Sequence, residues 1–329
     1  MARKTVIVNS DESVGGVCEK IDSSEFEWVG QDAKAMETIA RPSISFWKDA
    51  FGRLFRSKVA VVCMAILVLL ILGAVFIPLL SPFDYSRQNV AFTDQPSMWI
   101  DNVTKQMHLF GTDDLGRDIW VRIWMGARVS LTVAFAVTLI DCAVGIIYGG
   151  ISGYFGGGVD NVMMRIIEVI GGIPYLIVVM LLMVVLPRGL MTIIIAYSLT
   201  GWTGMARLVR GQVLGLRSQE FLVAAETMGA RPSRVIAKHL VPNLLGIIIV
   251  NVTLDIPNVI FTEAFLSMLG LGIMPPQASW GTLCNDGIEV FQTYPMQLVY
   301  PAVFISVTML AFNLLGDQLR DALDPKLRR

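Results

Sequence analysis

Long apolar segments constrain this chain more than any other feature of its sequence. A helix needs about 20 residues to cross a hydrocarbon core of about 30 Å. Five segments are long and apolar enough to do so: 59–80, 129–151, about 166–187, 244–272 and 297–316. Hydrophobic residues make up 54% of the 329 positions and charged residues only 16%, which is unlike a soluble domain. We therefore predict an all-α polytopic membrane protein.

A sixth segment, 190–206, is shorter and less apolar than the other five. Its second half contains Ser198, Thr200 and Gly201, so it can cross the membrane only where neighbouring helices shelter these residues. Counting this segment gives a prediction of six transmembrane helices.

The distribution of basic residues predicts the orientation. With the N-terminus inside, the inner segments 41–58, 152–165, 205–241 and 317–329 carry sixteen Lys and Arg residues, whereas the outer segments carry six. Short loops rich in positive charge stay on the cytoplasmic side. Both termini should therefore be cytoplasmic.

This topology divides the chain into five parts. They are a cytoplasmic extension at 1–58, a first transmembrane helix at 59–80, an extracytoplasmic segment at 81–128, a transmembrane core at 129–316 and a cytoplasmic tail at 317–329. The core includes an inner loop at 207–241 and an outer scoop at 273–296.

The N-terminal extension is too long for the first apolar segment to be a cleaved signal peptide, so that segment should be a retained anchor. Residues 1–40 show little periodicity and are expected to be partly disordered or interfacial. Between 45 and 58, apolar side chains recur at helical spacing among basic residues: Phe46, Trp47, Phe51, Leu54 and Phe55. This pattern predicts an amphipathic helix on the inner leaflet, in contact with membrane lipid.

Several functions are disfavoured by what the sequence lacks. A net charge of −1 gives no basis for nucleic-acid binding. No GxxxxGK[ST] motif occurs, so the chain cannot hydrolyse ATP by that mechanism. Its four cysteines form no CxxC pair, and His108 and His239 fall on opposite sides of the predicted membrane. Neither a metal site nor a disulfide is expected.

The cytoplasmic loop at 205–242, which we call the finger, is long and basic for a connection between two spans. From Ser218 to Met228 the pattern places Phe221, Leu222 and Ala225 near one face of a short helix, with Glu220 and Glu226 toward water: an amphipathic arrangement.

The second half of the finger contains signals for a turn and a new helix. Gly229 stands where a helix commonly ends in a left-handed turn, and Pro232 suits the first residue of the next helix. The small residues Ala224, Ala225 and Ala230 would let another protein approach the backbone closely. The finger is therefore predicted to dock on a cytosolic partner. The alternative is a connector that rests on lipid headgroups.

The segment VAAETMG at 223–229, followed by LVPN at 240–243, resembles the EAA coupling loop of the membrane subunits of ABC importers. In that family an Ala-Ala pair precedes a Gly and, about a dozen residues later, a Leu-Pro, and the short helix docks on an ATPase subunit. Val223 stands where the family name places a Glu, so no carboxylate role carries over to that position.

Four further blocks resemble, in order, the C-type permease subunit of oligopeptide and dipeptide importers: 108–131, 153–176, 261–283 and 310–328. The extension at 25–51 is similar to the long extensions of the oligopeptide-type members. This similarity favours oligopeptides over the alternatives, which are dipeptides, nickel or another small solute.

The resemblance implies a type I ABC importer permease fold in a bacterial or archaeal cell membrane. It also implies a homologous second permease subunit, an extracytoplasmic peptide-binding protein and two cytoplasmic ATPase subunits. ATP and Mg²⁺ would be bound by the ATPases, and this chain would be neither an enzyme nor the holder of a cofactor. The finger would couple closure of the two ATPases to outward opening of the pathway. The residues implied in ATPase coupling are Glu220, Ala224, Ala225, Glu226, Gly229 and Ala230.

Polar residues inside the spans are candidates for the peptide path. A charge at the centre of the bilayer costs about 2.5–3.5 kcal/mol, so Asp141, Asp255 and Glu263 must face protein or water. With Ser198 and Asn251 they are predicted to line the path, and Asp255 is the first candidate for peptide contact. The alternative is an interhelical hydrogen bond for the aspartates and a structural role at the outer gate for Glu263.

Helix-breaking residues add to this prediction. Pro174 and Pro257 are expected to interrupt two spans and free carbonyl groups beside the same cavity. Pro275 and Pro276 suit a re-entrant outer scoop. Near the outer end of the second span, Arg117 with its neighbouring carboxylates is expected to form a salt-bridged turn rather than an active site.

Two other classes of protein would share the hydropathy pattern. A secondary transporter or a channel also crosses the membrane many times, but neither needs a cytoplasmic finger with this Ala and Gly pattern. An intramembrane enzyme needs a nucleophile or a metal pair at matching depth, and the sequence shows neither.

Overall fold

A computed structural model describes residues 46–101, 105–187 and 189–324, and this part of the chain is mostly helical. The chain divides into two units after Phe46, and the predictions made for residues 1–45, Arg188 and 325–329 lie outside the described residues.

The first half of the structure contains two helices, an outer segment and one long helix. They are α1 (Phe46–Arg56), α2 (Lys58–Leu80), a short 3₁₀ turn (Val90–Phe92), the antiparallel strands β1 (Trp99–Ile100) and β2 (Met107–His108), and α3 (Ile119–Phe155). The Asp118 side chain caps α3 by accepting a hydrogen bond from the Val121 amide at 2.8 Å. Residues 109–118 join the hairpin to α3 and end in this cap.

The second half of the described chain begins with six shorter helices and ends with two long helices on either side of one short helix. They are α4 (Gly157–Gly171), α5 (Tyr175–Val185), α6 (Leu190–Ser198), α7 (Trp202–Leu216), α8 (Glu220–Thr227), α9 (Pro232–Val235), α10 (Val241–Leu266), α11 (Trp280–Glu289) and α12 (Met296–Leu323). Two five-residue π-helical turns, Ile236–Leu240 and Ser267–Leu271, extend α10 at either end.

Four helical stretches in the described part are long and apolar enough to cross a membrane: Lys58–Leu80, Ile119–Phe155, Pro232–Leu271 and Met296–Leu323. The pair α4 and α5 makes a fifth if it is one span, bent by 74°. The bend falls at Gly171, Gly172 and Pro174, since proline disfavours helix at the residue before it. The prediction of a polytopic helical protein is confirmed.

The count of six spanning helices is not confirmed. The segment predicted at 190–206 is split into α6, which has only nine residues, and α7. At the break, a Cβ atom on Gly201 would lie 2.0 Å from Oδ2 of Asp141. The close approach of α3 at this point requires a residue without a side chain, and the two short helices meet there.

Pro257 does not interrupt its span as predicted. It lies buried inside α10, which continues from Val241 to Leu266. A long helix that packs on several neighbours can keep a proline at the cost of one backbone hydrogen bond. Of the two prolines predicted to break a span, only Pro174 is at a helix end.

The core is formed around α3, with α2, α10, α11 and α12 packed against it. Trp280, at the start of α11, is fully buried and donates its indole N–H to the carbonyl oxygen of Ile123 at 3.1 Å. At Gly126 a Cβ atom would come within 3.1 Å of the backbone of Trp280. The outer helix α11 is thereby fixed to the outer end of α3.

Helices α3 and α7 approach each other through a glycine stripe. Gly145, Gly149 and Gly153 are four residues apart on α3, and at Gly149 a Cβ atom would lie 2.3 Å from the carbonyl oxygen of Ala206 on α7. Small residues at this spacing let helix backbones pack closely in membranes. The two helices consequently form one tightly packed pair.

The amphipathic helix predicted near 45–58 is present as α1. Its Ala50 and Leu54 side chains are buried, while Phe51 and Phe55 are exposed. A hydrogen bond of 2.5 Å from the Ser57 hydroxyl to Oε1 of Gln318 joins the start of α2 to α12. The junction between the first two helices is thus attached to the last one.

Candidate coupling and translocation sites

The finger has the helix–turn–helix form that its sequence predicts. Helix α8 ends in a turn where Gly229 has a φ of 81°. The Gly229 amide donates to the Glu226 carbonyl at 2.9 Å, and the Ala230 amide donates to the Ala225 carbonyl at 3.1 Å. This pair of bonds defines the Schellman motif, and Pro232 begins the next helix as expected.

The six predicted coupling residues differ in exposure. Glu220, Ala224, Glu226 and Gly229 are exposed, and Ala230 is partly buried. Ala225 is only 5% exposed, so its side chain packs against this chain and does not offer a surface to a partner. The amphipathic pattern correctly placed Leu222 and Ala225 on the inner face of α8, but it was wrong for Phe221, which is 43% exposed.

The outer face of α8 carries apolar side chains that sequence reasoning did not assign to docking. Phe221 and Val223 are exposed, and Met228 is 81% exposed. Among the described residues, no side-chain or backbone atom outside its own neighbourhood comes within 4 Å of a Cβ atom placed on Gly229. Exposed apolar groups beside an open backbone turn are typical of a surface that another protein covers.

The finger is anchored to the membrane core at two places. Leu222 is buried in a cluster with residues of α7 and α10, including Val213 and Leu244. Beside this cluster, Arg210 on α7 forms a two-bond ion pair with Asp160 on α4, at 2.5 and 2.6 Å, and Ser152 donates to the same carboxylate at 2.5 Å. Helix α8 is therefore packed on α7, which is in turn joined to α4 and to the glycine stripe of α3.

The structure brings Asp141 and Asp255 together, as their assignment to one path requires. Asp141 lies on α3 and Asp255 on α10, and these two helices pack against each other. Ser198 lies at the end of α6, with a buried hydroxyl that has no hydrogen-bond partner in the described part of the chain. Asn251, one turn before Asp255 on α10, is partly buried.

Glu263 does not line an open path. It is 1% exposed, and the hydroxyls of Ser130 and Ser267 donate to its carboxylate at 2.9 Å each. Ser130 also accepts a hydrogen bond from the Trp280 amide at 3.2 Å. Glu263 therefore joins α10 to α3 and α11, in agreement with the alternative of a structural role near the outer gate.

The charged turn before α3 is a salt-bridged structure, as expected. Nε of Arg117 donates to Asp113 at 2.7 Å, and Arg122 donates to the same carboxylate. Arg122 also reaches Asp286 on α11 at 3.4 Å. Burial raises the pKa of the Asp286 carboxyl above its ordinary value, and the guanidinium of Arg122 opposes this rise. These contacts hold the outer ends of α3 and α11 together.

A cavity of about 360 Å³ opens on the same side, between the charged turn, the π-helical turn after α10 and α11. Acidic and basic side chains both line it, among them Asp114, Arg117 and Glu289.

Nearby, His108 is paired with Asp118 at 2.7 Å and stacks on Phe83, so it is a packed residue. Within residues 46–101, 105–187 and 189–324 no three His, Cys, Asp or Glu side chains are grouped to hold a metal, and Cys63, Cys142 and Cys284 are free thiols.

Comparison with known proteins gives consistent relatives. Residues 145–329 match the family described as binding-protein-dependent transport system inner membrane component, and residues 45–97 match the N-terminal TM domain of oligopeptide transport permease C. The chain is 50% identical over 311 residues to the oligopeptide transport system permease protein OppC of Bacillus subtilis, covering 94% of this chain and 100% of the relative.

Other relatives have closely related names. The dipeptide transport system permease protein DppC of Bacillus subtilis is 51% identical over 294 residues, 89% of this chain and 90% of the relative. The OppC protein of Haemophilus influenzae is 40% identical over 308 residues, covering 94% and 97%. A similarity to a solved chain from inward-facing conformations of the MetNI methionine ABC transporter covers 62% of this chain and 94% of that chain, with a TM-score of 0.49 and 18% identity.

Proposed function

Since this chain belongs to the family of binding-protein-dependent transport system inner membrane components, we propose that it is the C-type permease subunit of an ATP-driven importer of oligopeptides. It is a multi-pass membrane protein and supplies one half of the translocation pathway. A homologous permease supplies the other half, and an extracytoplasmic peptide-binding protein delivers the substrate. Two cytoplasmic ATPases bind ATP and Mg²⁺, and this chain holds no cofactor.

The observation that carries the proposal is the exposed finger. Helix α8 presents Phe221, Val223 and Met228 outward, and its turn at Gly229 is open, while Leu222 anchors it to the core. An apolar, backbone-open surface fits a groove on an ATPase better than it fits the charged headgroups of a membrane. The contact through Arg210 and Asp160 then passes the motion of the ATPases to the transmembrane helices.

Substitution of Gly229 by Asp tests the coupling. The new side chain would hold the ATPase backbone away from the turn, so we expect peptide uptake to fall at least about tenfold while membrane insertion is retained. Gly157→Asp is the matched control because Gly157 also has a positive φ, of 53°, and open surroundings. Uptake is measured in proteoliposomes that contain the complete complex.

Normal uptake by Gly229→Asp, with undiminished association of the ATPases, would show that the finger is a connector resting on lipid. An equal loss in Gly157→Asp would assign the effect to backbone strain in any cytoplasmic turn.

The orientation is part of the same proposal and is tested by labelling. In a variant without its native cysteines, Met98→Cys should react with a membrane-impermeant maleimide on intact cells, because Met98 is 69% exposed in the outer segment. Ser218→Cys, exposed in the finger, should react only after the cells are opened. Reaction of Ser218→Cys in intact cells would reverse the topology.

Dipeptides are the second candidate substrates, because the identity to the dipeptide permease DppC, 51%, equals that to OppC within one per cent. Uptake of a length series from two to five residues decides between them. Uptake limited to the dipeptide would replace the oligopeptide assignment.

A further inference from the structure

Four helices bring polar side chains together in the middle of the membrane core. Asp141 lies on α3 and Asp255 on α10, two helices that pack against each other. The rings of Tyr175 on α5 and Tyr197 on α6 pack edge to face, with centroids 5.4 Å apart, and a Cβ atom on Gly201 would lie close to both Tyr197 and Asp141. The cluster of Asp141, Asp255, Tyr175 and Tyr197, which we call the acidic cluster, lies where the short helices meet the long ones.

Asp141 is buried in this cluster without a partner. It is 2% exposed, and neither of its carboxylate oxygens accepts a hydrogen bond from any described residue. The Tyr175 hydroxyl and the Thr138 hydroxyl, three residues before Asp141 on the same helix face, are likewise buried without a partner. None of the ion pairs in the described part of the chain includes Asp141 or Asp255.

A buried carboxylate without a donor is costly, and a pair of carboxylates is more so because like charges repel. A cationic ligand removes both costs. Carboxylates accept charge-assisted hydrogen bonds from an ammonium group, the faces of Tyr rings attract cations, and hydroxyls complete the coordination. A carboxylate or phosphate would be repelled by the same cluster.

We propose that the acidic cluster is a subsite that binds the free ammonium group of the transported peptide. The N-terminal ammonium is the one positive group that peptides of different sequence share, so such a subsite holds any of them without reading side chains. The inference rests on the proposed function and adds to it the chemical group that is recognised.

The subsite is closed in this structure. A Cβ atom on Gly201 would lie 2.0 Å from Oδ2 of Asp141, so the break between α6 and α7 covers the carboxylate. The ammonium reaches Asp141 when this break moves away from α3. Alternating access supplies such a movement, because α7 packs against α8 of the finger through Val213 and Leu222 and is paired with α4 through Arg210.

The test uses the complete complex in proteoliposomes, with peptide-loaded binding protein at a saturating concentration so that capture does not limit uptake. Asp141→Asn removes the charge at constant shape, and Asp141→Glu restores it. Asp321→Asn removes an exposed carboxylate from α12 and is the matched control. We expect at least about a tenfold loss of uptake for Asp141→Asn, recovery to half or more for Asp141→Glu, and a change below about twofold for the control.

Contact is measured separately from uptake. A tripeptide with a benzophenone side chain at its first residue is irradiated during turnover and compared with one labelled at its third residue. The first label should crosslink to α3 or α10 in the wild-type complex, and this crosslink should be lost in Asp141→Asn.

Three outcomes would overturn the proposed subsite. The first is unchanged uptake in Asp141→Asn, and the second is a first-residue crosslink that maps elsewhere or persists in this variant. The third is failure of this variant to copurify with the second permease, because Asp141 would then be a contact residue for that subunit. A wild-type complex that takes up no peptide would instead refute the proposed function, so the two failures are distinguishable.

Discussion

Glu263 and Asp141 are equally buried carboxylates in opposite surroundings. Glu263 accepts hydrogen bonds from Ser130 and Ser267. Asp141 accepts none from the described residues. Where the fold uses a buried acid to join helices, it surrounds that acid with donors. An acid left without donors serves something that the chain alone does not contain.

The largest expected effect is at Glu263, the buried acid whose carboxylate accepts hydrogen bonds. Glu263→Leu leaves two buried serine hydroxyls, those of Ser130 and Ser267, without their acceptor, so the free energy of unfolding should fall by about 3 kcal/mol. The measurement is the thermal midpoint of the purified protein in detergent. Glu263→Gln keeps one acceptor oxygen and should lose less. Equal thermal midpoints for Glu263→Leu and wild type would show that the hydrogen bonds of Glu263 do not stabilise the fold.

Gly201 provides the next effect, because it packs against the unsatisfied acid. Gly201→Ala places a methyl group against Oδ2 of Asp141 and should lower the free energy of unfolding by about 2 kcal/mol. In the Asp141→Ala background the obstructing carboxylate is absent, so most of this loss should disappear. A double-mutant cycle measures the coupling. Additive effects would show that the two residues do not touch.

Asp141→Leu should change stability in the direction opposite to Glu263→Leu. It replaces an unpaired buried carboxylate by an apolar group of similar size, so the free energy of unfolding should rise by about 1.5 kcal/mol. The same detergent melting experiment reports it, with Asp321→Leu as the exposed control. A lower midpoint for Asp141→Leu would mean that the acid has a stabilising partner.

The smallest effect removes a single donor from Glu263. Ser267→Ala deletes one of the hydrogen bonds to the carboxylate and should lower the free energy of unfolding by about 1 kcal/mol. Ser86→Ala is the control because its hydroxyl bonds an exposed carboxylate, that of Asp84. If both variants melt alike, burial has not strengthened the bond to Glu263.

Local chemistry predicted some elements closely. Uniform apolarity predicted α2 at 59–80, and the helix runs from Lys58 to Leu80. Gly229 and Pro232 predicted the turn of the finger, because a positive φ and a fixed φ are properties of those residues themselves. Pro174, which was predicted to interrupt its span, lies at the break between α4 and α5.

Other features depend on contacts between distant residues and could not be predicted from a local pattern. The break between α6 and α7 interrupts a segment that reads as continuous, because Gly201 meets Asp141 some sixty positions earlier in the chain. The donors of Glu263 come from two elements, so the sequence suggested its structural role at the outer gate without showing its partners. The glycine stripe of α3 was missed, although Gly145, Gly149 and Gly153 recur every four residues in the sequence.

The bond between Ser57 and Gln318 has a consequence for biosynthesis. These residues are 261 positions apart, so the ribosome releases the first span into the bilayer long before its hydrogen-bond partner exists. Until α3 has been made, α2 is held in the bilayer by its apolarity alone, and its contact with α12 forms only after α12 has been inserted. A chain truncated before α12 would therefore be integrated into the membrane but left unassembled, a substrate for quality-control proteases rather than a partly working subunit.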